Sequence, residues 1–312
     1  MGARALPRNV WQIGRGLLAA RRLLRDFRPD VILFTGGYVA IPVALSSRLP
    51  ALHVRPPSIL LYVPDIEPGL ALKTLARFAD RIAVTVEESR SYFRGYSNLT
   101  VTGYPARQAL RSWDRFSARR ALNLPLDLPV LLVVGGSKGA RNLNRALFAA
   151  LPGLVEEMQI IHVSGQLDWS EVESVRKNLP AGQLSRYHPY PYLHAEMGAA
   201  LAAADLALSR AGASTLGEYP LFGLPAILVP YPYAWHYQQV NAQYLAGRGG
   251  AIVVNDEDLG RDLALVVQEL IRDKDRLEKM GQAMSKLARP DAAGAIAALL
   301  HTMVKAKDQG KV

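Results

Sequence analysis

Val130-Leu-Leu-Val-Val-Gly-Gly-Ser-Lys-Gly-Ala-Arg-Asn-Leu-Asn144 decides the fold of this chain, because an apolar run leads directly into a glycine-rich turn and then into helical sequence. Such a run predicts a strand buried on both faces of a parallel sheet. Backbone amides at the start of the following helix would point towards an anion, and the helix dipole favours phosphate there. The spacing matches neither the P-loop nor the dinucleotide fingerprint, which disfavours ATP and NAD. The alternative is a tight turn that binds no ligand.

The same alternation of short apolar runs and helical sequence occurs along most of the chain. The other runs occupy residues 30–34, 58–62, 81–85, 99–102, 160–163, 206–208, 226–229 and 251–254. The pattern predicts an α/β protein with two Rossmann-like domains, each built on a parallel sheet. The predicted divisions are a first domain over 1–110, a charged linker over 111–128, a second domain over 129–290 and a C-terminal helix with a polar tail over 291–312.

Composition narrows the class of protein. Of the 312 residues, 50% are hydrophobic and 21% charged, which is typical of a globular protein of about two domains. The absence of cysteine excludes disulfides, a thiol nucleophile and zinc sites of the cysteine type. The longest apolar stretch, around 198–208, is interrupted by Asp205, so no membrane span is predicted. The six histidines lack ligand spacing; we expect no cofactor, and Mg²⁺ at most as an aid.

The net charge of +10 is concentrated near the N-terminus, where residues 1–30 hold seven arginines and two aspartates. Leucines, Trp11 and Phe27 interleave with these arginines, as in helices that lie on an anionic membrane surface. The alternative is a surface helix whose apolar stripe packs inward. No nucleic-acid-binding motif is present, so nucleic acid is disfavoured as a partner.

A second strand-to-helix junction lies at Leu208-Ser-Arg-Ala-Gly-Ala-Ser-Thr-Leu-Gly-Glu218. The amides of Ala213, Ser214 and Thr215 form another helix start suited to a diphosphate. The Glu218 carboxylate has two acceptor oxygens for the two hydroxyls of a ribose. However, Thr215-x-x-Glu218 is also a capping box, in which the carboxylate only satisfies a backbone amide, and the pattern alone favours the cap.

A third segment, Pro230-Tyr-Pro-Tyr-Ala-Trp-His-Tyr-Gln-Gln-Val-Asn-Ala242, follows another apolar strand. Ligands bind at the carboxyl edge of open parallel sheets, where this segment is expected. Amide side chains both donate and accept hydrogen bonds, which suits sugar hydroxyls. The segment therefore favours a sugar-binding loop.

Together these three segments resemble the MurG family, the lipid II-forming N-acetylglucosamine transferases. The resemblance also covers Gly36-Gly37-Tyr38 and Gly103-Tyr-Pro-Ala-Arg107. It implies a GT-B architecture of two Rossmann-like domains, with UDP-N-acetylglucosamine as donor and an undecaprenyl-diphosphoryl muramyl peptide as acceptor. It further implies a peripheral location on the cytoplasmic face of the plasma membrane, docked through an apolar patch ringed by basic residues.

The resemblance also assigns roles to residues, and it favours ligand binding over capping for Glu218. Glu218 is expected to bind the ribose, and the backbone of Leu193 to meet the uracil. Gln238, with Gln239 beside it, is expected among the substrate ligands, Gln238 at the sugar hydroxyls. The expected diphosphate contacts are Arg107, Ser137 and the amides of Ala213, Ser214 and Thr215.

The sequence departs from the family in three places. The family's first strand and its glycine-rich loop ending in histidine have no counterpart, so the first domain is expected to be truncated at its N-terminus. The family usually has His-Glu-Gln-Asn where this chain has Tyr62-Val-Pro-Asp65, which leaves Asp65 and Glu67 as candidate catalytic acids. Lys138 replaces a usual glutamine.

These departures leave alternatives open for the function. For the missing segment there are three alternatives: a misplaced start site, a partner chain that supplies the segment, or a chain that is a donor-binding relic. Besides lipid II synthesis, the donor motifs also fit a related UDP-sugar transferase with another lipid or polyketide acceptor. A nucleotide-sugar-binding subunit that needs a partner is the non-enzyme alternative.

Overall fold

A computed structural model of the chain describes residues 6–49, 56–136, 139–233 and 236–308. The chain divides into two compact units: one holds the residues up to Gly103 and those from Asp291 onward, and the other holds Tyr104–Pro290. Each unit has its own parallel sheet, which confirms the predicted α/β class with two parallel-sheet domains. The chain therefore leaves the first unit once and returns to it once.

The first unit is built on four parallel strands within its described residues. These are β1 (Val31–Phe34), β2 (Ser58–Val63), β3 (Arg81–Val84) and β4 (Leu99–Val101), paired in chain order. Its helices, before the chain passes to the second unit, are α1 (Leu6–Phe27), α2 (Ala40–Ser47), α3 (Leu70–Ala76) and a 3₁₀ helix at Glu87–Tyr92. β2 is buried along its whole length, which explains why its sequence is a continuous apolar run instead of an alternating one.

The second unit has a larger sheet. Its described strands are β5 (Val130–Val134), β6 (Gln159–Val163), β7 (Tyr187–Tyr190), β8 (Leu206–Ser209), β9 (Ala226–Leu228) and β10 (Ala251–Val253), and all their pairings are parallel. The order across the sheet is β10-β9-β8-β5-β6-β7, so β5 and β8 lie at its centre. These two strands are almost wholly buried.

Helices cover both faces of this second sheet. They are α4 (Arg115–Ala121), α5 (Arg141–Leu154), α6 (Trp169–Asn178), α7 (Ala181–Leu184), α8 (Met197–Ala203), α9 (Glu218–Phe222), α10 (Tyr237–Gly247), α11 (Leu259–Arg272) and α12 (Lys274–Ser285). Leu143 and Leu147 of α5 and Leu263 and Val267 of α11 pack in one core cluster with the strands. These four leucine and valine positions recur at intervals of four, as expected of one apolar helix face.

The apolar runs predicted the strands at every position except β7. Its sequence, Tyr-His-Pro-Tyr, is not an apolar run, and Pro189 cannot donate a backbone hydrogen bond. The strand lies at the edge of the sheet, where proline is tolerated because one side of the strand needs no partner. Because its residues are polar and include a proline, an edge strand of this kind cannot be predicted from an apolar run.

The predicted linker over 111–128 differs from what the structure shows, because these residues belong to the compact second unit. Arg119 of α4 is 1% exposed and donates to the carbonyl of Ala203 at 3.1 Å and to the carboxylate of Asp205 at 2.7 Å. It also donates to carbonyls of the turn at Pro125–Leu128. One of the charged residues in this stretch is thus a buried arginine that binds the turn. The charges and prolines of the sequence do not distinguish such a packed segment from a solvated linker.

The C-terminal helix α13 (Ala292–Asp308) packs on the first unit. Its Ile296 and Met303 form a buried cluster with Leu60 and Tyr62 of β2 and Ala83 of β3. Lys307 also pairs with Asp30, just before β1, at 3.2 Å. The helix predicted for residues 291–312 is present, and it covers one face of the first sheet.

We predict that Arg119→Ala lowers the free energy of unfolding by about 3 kcal/mol, because it removes the buried donor to several carbonyls and the buried one of the two arginines that pair with Asp205. Arg115→Ala is the matched control: Arg115 pairs with the same Asp205 at 2.6 Å, but its side chain is 53% exposed. That change should cost less than about 1 kcal/mol. Urea denaturation followed by circular dichroism measures both, and equal losses would contradict a structural role specific to Arg119.

Candidate functional site

The centre of the second sheet is the point where the chain reverses its direction across the sheet. From β5 the chain passes to β6 on one side, whereas from β8 it passes to β9 on the other. Val134 and Ser209 are paired partners at the carboxyl ends of β5 and β8, so the loops that follow leave the sheet side by side. Open α/β sheets bind ligands at such a point, because the loops diverge there and leave a crevice.

The loop after β5 is held in a tight, glycine-dependent conformation. The Gly135 amide donates to the Val163 carbonyl at 2.9 Å, and Gly139 has φ of +86°. A Cβ on Gly139 would lie 2.8 Å from the carbonyl oxygen of Ser164, so only glycine fits there. α5 begins directly after this loop, which places its first amides at the crevice. Ser137 and Lys138, both predicted to lie near the diphosphate, fall outside the described residues.

The loop after β8 forms a 3₁₀ helix at Ala213–Leu216, followed by α9. The residues that precede these two helices are Gly212 and Gly217, neither of which has a side chain that can cap. Thr215 lies inside the 3₁₀ helix, and its hydroxyl donates to the Gly212 carbonyl at 2.7 Å. The capping-box interpretation of Thr215-x-x-Glu218 is therefore wrong, because the threonine occupies no N-cap position.

Glu218 is half-buried beside the segment predicted to contact the diphosphate. Tyr104 packs so closely on Gly217 that a Cβ there would lie 2.7 Å from the tyrosine side chain. Burial raises the pKa of Glu218, and the positive charge of Arg107 partly opposes that shift. Arg107 and Glu218 are thus close enough to interact electrostatically. The Arg107 side chain also donates to the His194 carbonyl at 3.4 Å, next to Leu193, which is 4% exposed.

The third predicted segment also borders the crevice. The Gln238 side-chain oxygen accepts a hydrogen bond from the Tyr231 amide at 2.9 Å, which fixes the loop before α10. This contact directs the amide oxygen to the loop and leaves the NH₂ group of the same side chain as a donor. The Tyr231 ring packs edge-on against Tyr233, with 5.6 Å between the ring centroids.

Arg210 connects these segments to each other. Its guanidinium pairs with Asp256 at 2.5 Å, and the side chains are only 11% and 8% exposed. The same aspartate accepts a hydrogen bond from Asn142 of α5 at 2.6 Å. The guanidinium also lies 5.3 Å from the centre of the Tyr231 ring. One ion pair therefore joins the start of α5, the loop after β8 and the loop before α10.

These segments enclose a cleft of about 780 Å³, large enough for a nucleotide-sized ligand. Of the predicted residues, the cleft lining includes Ser214, Thr215, Glu218 and Gln238. The described lining does not include Arg107, Leu193, Ala213 or Gln239; of these, Arg107 and Leu193 are connected to it through Glu218 and His194. The structure thus brings the three sequence motifs to one crevice.

Sequence reasoning missed several residues that line or support the cleft. Arg141, Asn142 and Asp168 line it, and Asp256 supports it through Arg210. Asn142 and Arg210 stand inside the quoted motifs, so the motifs alone could have indicated them. Asp168 and Asp256 are distant in sequence from the motifs that they contact, and no local pattern distinguishes them from surface aspartates.

The candidate catalytic acids Asp65 and Glu67 follow β2 in the first unit and are both half-buried. Glu67 pairs with Lys73 at 3.5 Å. Burial, and secondarily the Glu67 charge, raises the pKa of the nearby Tyr92. The two acids lie at the carboxyl end of a strand, where catalytic residues of such sheets are expected. Their role stays a prediction.

The described residues contain neither a metal-binding cluster nor a membrane-spanning helix. No group of three or more histidine, cysteine, aspartate or glutamate side chains is arranged to hold a metal ion. No described helix combines the length and the low polarity needed to cross a bilayer.

Comparison with known proteins defines the class. Residues 130–296, more than half of the chain, match the glycosyltransferase family 28 C-terminal domain. This range contains all three cleft-forming segments. The protein is therefore a glycosyltransferase with the two-domain GT-B architecture.

Curated relatives define the family more narrowly. The chain is 41% identical to the UDP-N-acetylglucosamine--N-acetylmuramyl-(pentapeptide) pyrophosphoryl-undecaprenol N-acetylglucosamine transferase of Roseiflexus sp. (strain RS-1), over 96% of this chain and 75% of the relative. It is 36% identical to the protein of the same name from Desulforamulus reducens, over 91% of this chain and 76% of the relative. The chain belongs to the MurG family.

Solved structures agree with this assignment. The crystal structure of MurG from Acinetobacter baumannii matches with a TM-score of 0.71 and 25% identity, covering 94% of this chain and 79% of that one. A UDP-N-acetylglucosamine 2-epimerase from Neisseria meningitidis, bound to UDP-N-acetylglucosamine, matches with a TM-score of 0.69 at 12% identity, covering 93% of this chain and 81% of that one. At that identity the second likeness shows a shared fold alone.

We predict that Glu218→Gln raises the thermal stability of the ligand-free protein at neutral pH. Burial raises the pKa of Glu218, so the folded state binds its proton more tightly than the unfolded state does. The contribution of Glu218 to the free energy of unfolding is fully present below the ordinary pKa of glutamate. That contribution is lost as the pH rises through the raised pKa of Glu218 in the folded state. The difference between variant and wild type, measured by calorimetry at pH 7 and pH 4, should shrink at the lower pH. A carboxylate that capped a helix would give a less stable variant at pH 7.

Proposed function

We propose that this protein transfers N-acetylglucosamine from UDP-N-acetylglucosamine to the C4 hydroxyl of undecaprenyl-diphosphoryl-N-acetylmuramyl peptide. The reaction converts lipid I to lipid II in peptidoglycan synthesis. The names of the relatives at 36–41% identity support this acceptor and donor. The observation that carries the proposal is the convergence of two anion-accepting loops, one carboxylate and one amide side chain on a single cleft.

The diphosphate of the donor is placed between the two loops at the centre of the sheet. The start of α5 offers amides from one side, and Gly212, Ala213 and Ser214 offer amides from the other. The Thr215 amide, also expected at the diphosphate, instead donates to the Gly212 carbonyl at 3.0 Å. As the bond from the sugar to the diphosphate breaks, negative charge grows on the departing UDP. Fixed amides aimed at that charge stabilise the transition state more than the ground state.

The remaining donor groups are assigned to the other residues of the site. Glu218 accepts hydrogen bonds from both ribose hydroxyls, with Arg107 beside it and near the diphosphate. Gln238 donates to sugar hydroxyls through its NH₂ group while its oxygen holds the Tyr231 amide. The Leu193 backbone is assigned to the uracil.

The chemical step is a single displacement with inversion. The acceptor C4 oxygen attacks the anomeric carbon, the bond to the diphosphate breaks, and UDP leaves. The hydroxyl proton passes to a general base as the new β-1,4 link forms. Asp65 and Glu67 are the candidates for that base, because their carboxylates follow β2 at the edge where such residues are expected.

The acceptor is a lipid, so the enzyme must work at a membrane surface. On α1, Ala20 and Leu24 are buried, whereas Leu18, Leu23 and Phe27 are 62%, 61% and 77% exposed. The helix thus packs one stripe inward and still presents apolar side chains to solvent. Arg15, Arg21 and Arg22 are exposed and lie within one helical turn of Leu18. We place this face of α1 on the anionic cytoplasmic surface of the plasma membrane.

Titration calorimetry with UDP-N-acetylglucosamine, together with a lipid I transfer assay, tests the function. We expect both binding and turnover. Glu218→Gln should weaken UDP binding by about tenfold to hundredfold, because hydrogen bonds to a charged group are each worth about 1.5–3 kcal/mol. Glu173→Gln, an exposed position on α6, is the control and should leave the affinity unchanged.

The outcomes separate the alternatives. Binding without transfer would favour a nucleotide-sugar-binding subunit that needs a partner chain. Binding with transfer to a different lipid or polyketide, and none to lipid I, would favour a related transferase. The absence of any UDP-N-acetylglucosamine binding would contradict the donor site itself.

For the membrane surface, we predict that Leu18→Asp reduces binding to vesicles containing phosphatidylglycerol by at least about tenfold. Each apolar side chain contributes about 1.5–3 kcal/mol when it leaves water. Leu265→Asp is the matched control, since Leu265 is 67% exposed on α11 of the second unit. Vesicle co-sedimentation measures the change. Equal binding by the Leu18→Asp variant and the wild type would exclude the Leu18 face of α1 as the docking face.

A further inference from the structure

A line of buried polar side chains lies beneath the glycine-rich loop, and apart from Asn144 its members lie outside the motifs that the family resemblance covers. It begins at Tyr187 of β7, 2% exposed, and passes through His162 of β6 and Asn144 of α5, both fully buried. It ends at Asp168, 5% exposed, which lies after β6 and lines the cleft. Buried polar groups of this kind are retained only when each finds a partner.

The contacts in this line are short and continuous. The Tyr187 hydroxyl lies 2.8 Å from Nδ1 of His162, and Nε2 of the same ring lies 3.0 Å from the side-chain oxygen of Asn144. The Asn144 NH₂ group then donates to Asp168 at 2.9 Å and to the Ser164 carbonyl at 3.1 Å. His162 and Asn144 thus each have a hydrogen-bond partner on both sides, and Tyr187 and Asp168 are the two ends of the line.

The chemistry of the groups fixes the direction of these bonds. An amide oxygen only accepts, so Nε2 of His162 must carry the proton that it donates to Asn144. Burial lowers the pKa of His162 to about 3, so the ring is neutral and its Nδ1 accepts from the Tyr187 hydroxyl. All donors therefore point the same way, from Tyr187 towards the carboxylate of Asp168. Aligned hydrogen bonds of this kind reinforce one another.

The other oxygen of Asp168 faces the cleft-lining Arg141. Nε of Arg141 lies 3.3 Å from that oxygen, and the arginine side chain is 63% exposed whereas the aspartate is 4% exposed. This contact with Asp168 involves only Nε of Arg141. The N–H groups of the two terminal guanidinium nitrogens are therefore not used in binding Asp168. Arg141 is the first residue of α5, directly after the glycine-rich loop.

We propose that Asp168 is a positioning residue that holds Arg141 as a ligand for the diphosphate of the nucleotide donor. The buried line from Tyr187 fixes the carboxylate, and the carboxylate fixes Nε of the arginine. The terminal nitrogens are then presented to the cleft in a planar fork, the geometry that suits phosphate oxygens. The proposal rests on the donor function proposed above and adds two residues to it.

A second ion pair joins the same two elements and serves as a comparison. Arg145 of α5 pairs with Glu171 of α6 at 3.1 Å, one helical turn beyond Arg141. Arg145 is about as exposed as Arg141, at 60%, and Glu171 is more exposed than Asp168, at 38%; neither lines the cleft described above. If the pairs only fastened α5 to α6, the two would behave alike.

Asp168→Asn tests the proposal, because asparagine keeps the size of the side chain and an oxygen for Asn144 but removes the charge that holds Arg141. We expect UDP affinity, measured by titration calorimetry, to fall about tenfold. Uridine has no diphosphate, so the Asp168→Asn variant should bind it with the same affinity as the wild type does, as measured by saturation-transfer NMR. Arg141→Met should give the same diphosphate-specific loss, and this exposed position should not impair folding.

A double-mutant cycle then tests whether the two residues act as one. With Arg141→Met already present, Asp168→Asn should change UDP affinity less than about twofold, because the contact that it would remove is gone. Glu171→Gln is the matched control and should leave both affinities unchanged. Thermal unfolding of each variant shows that it is folded.

Several results would overturn the proposal. These are unchanged or tighter UDP binding by Asp168→Asn, an equal loss of uridine affinity, full additivity with Arg141→Met, or an equal loss in Glu171→Gln. In each of these cases wild-type UDP binding still stands, so the donor function survives. Failure of the wild type to bind UDP would instead contradict the donor function, and this inference with it.

Discussion

The parallel pairing of β5 with β8 is the constraint on which the candidate site depends. Because these strands are neighbours and point the same way, the residues that follow them leave the sheet together. The chain then turns to opposite sides, so the two loops separate and a crevice opens between them. Two helix starts, about 70 residues apart in sequence, thereby border one cleft.

Around that crevice, buried charges hold loops that would otherwise be independent. The Arg210–Asp256 pair joins three segments, and Asp168 joins two. Removing a buried partner is costly because the remaining charge stays desolvated. These contacts therefore keep the amides and side chains in place before a ligand arrives, which lets binding energy act on the transition state instead of on ordering the site.

Much of this organisation could be predicted from the sequence. Continuous apolar runs located nine of the ten described strands because both faces of a parallel sheet are buried, and the glycine-rich junctions located two walls of the cleft. What could not be predicted depends on long-range contacts. Residues distant in sequence determine the roles of the polar edge strand β7, the buried Arg119 and the supporting Asp168 and Asp256. The ligand-binding role predicted for Glu218 came from the family resemblance, since its local pattern favoured a cap that the structure does not contain.

The packing of α13 on β2 and β3 has a consequence for synthesis on the ribosome. Tyr104–Pro290 is complete as a unit before residues 292–308 are made, whereas one face of the first sheet lacks Ile296 and Met303 until then. Domains generally fold as units while the chain emerges. The donor half is therefore free to fold first, and the half assigned to the acceptor remains incomplete, with Leu60 and Tyr62 uncovered, until α13 has been made. Premature termination within α13 would leave an intact nucleotide domain attached to an aggregation-prone sheet.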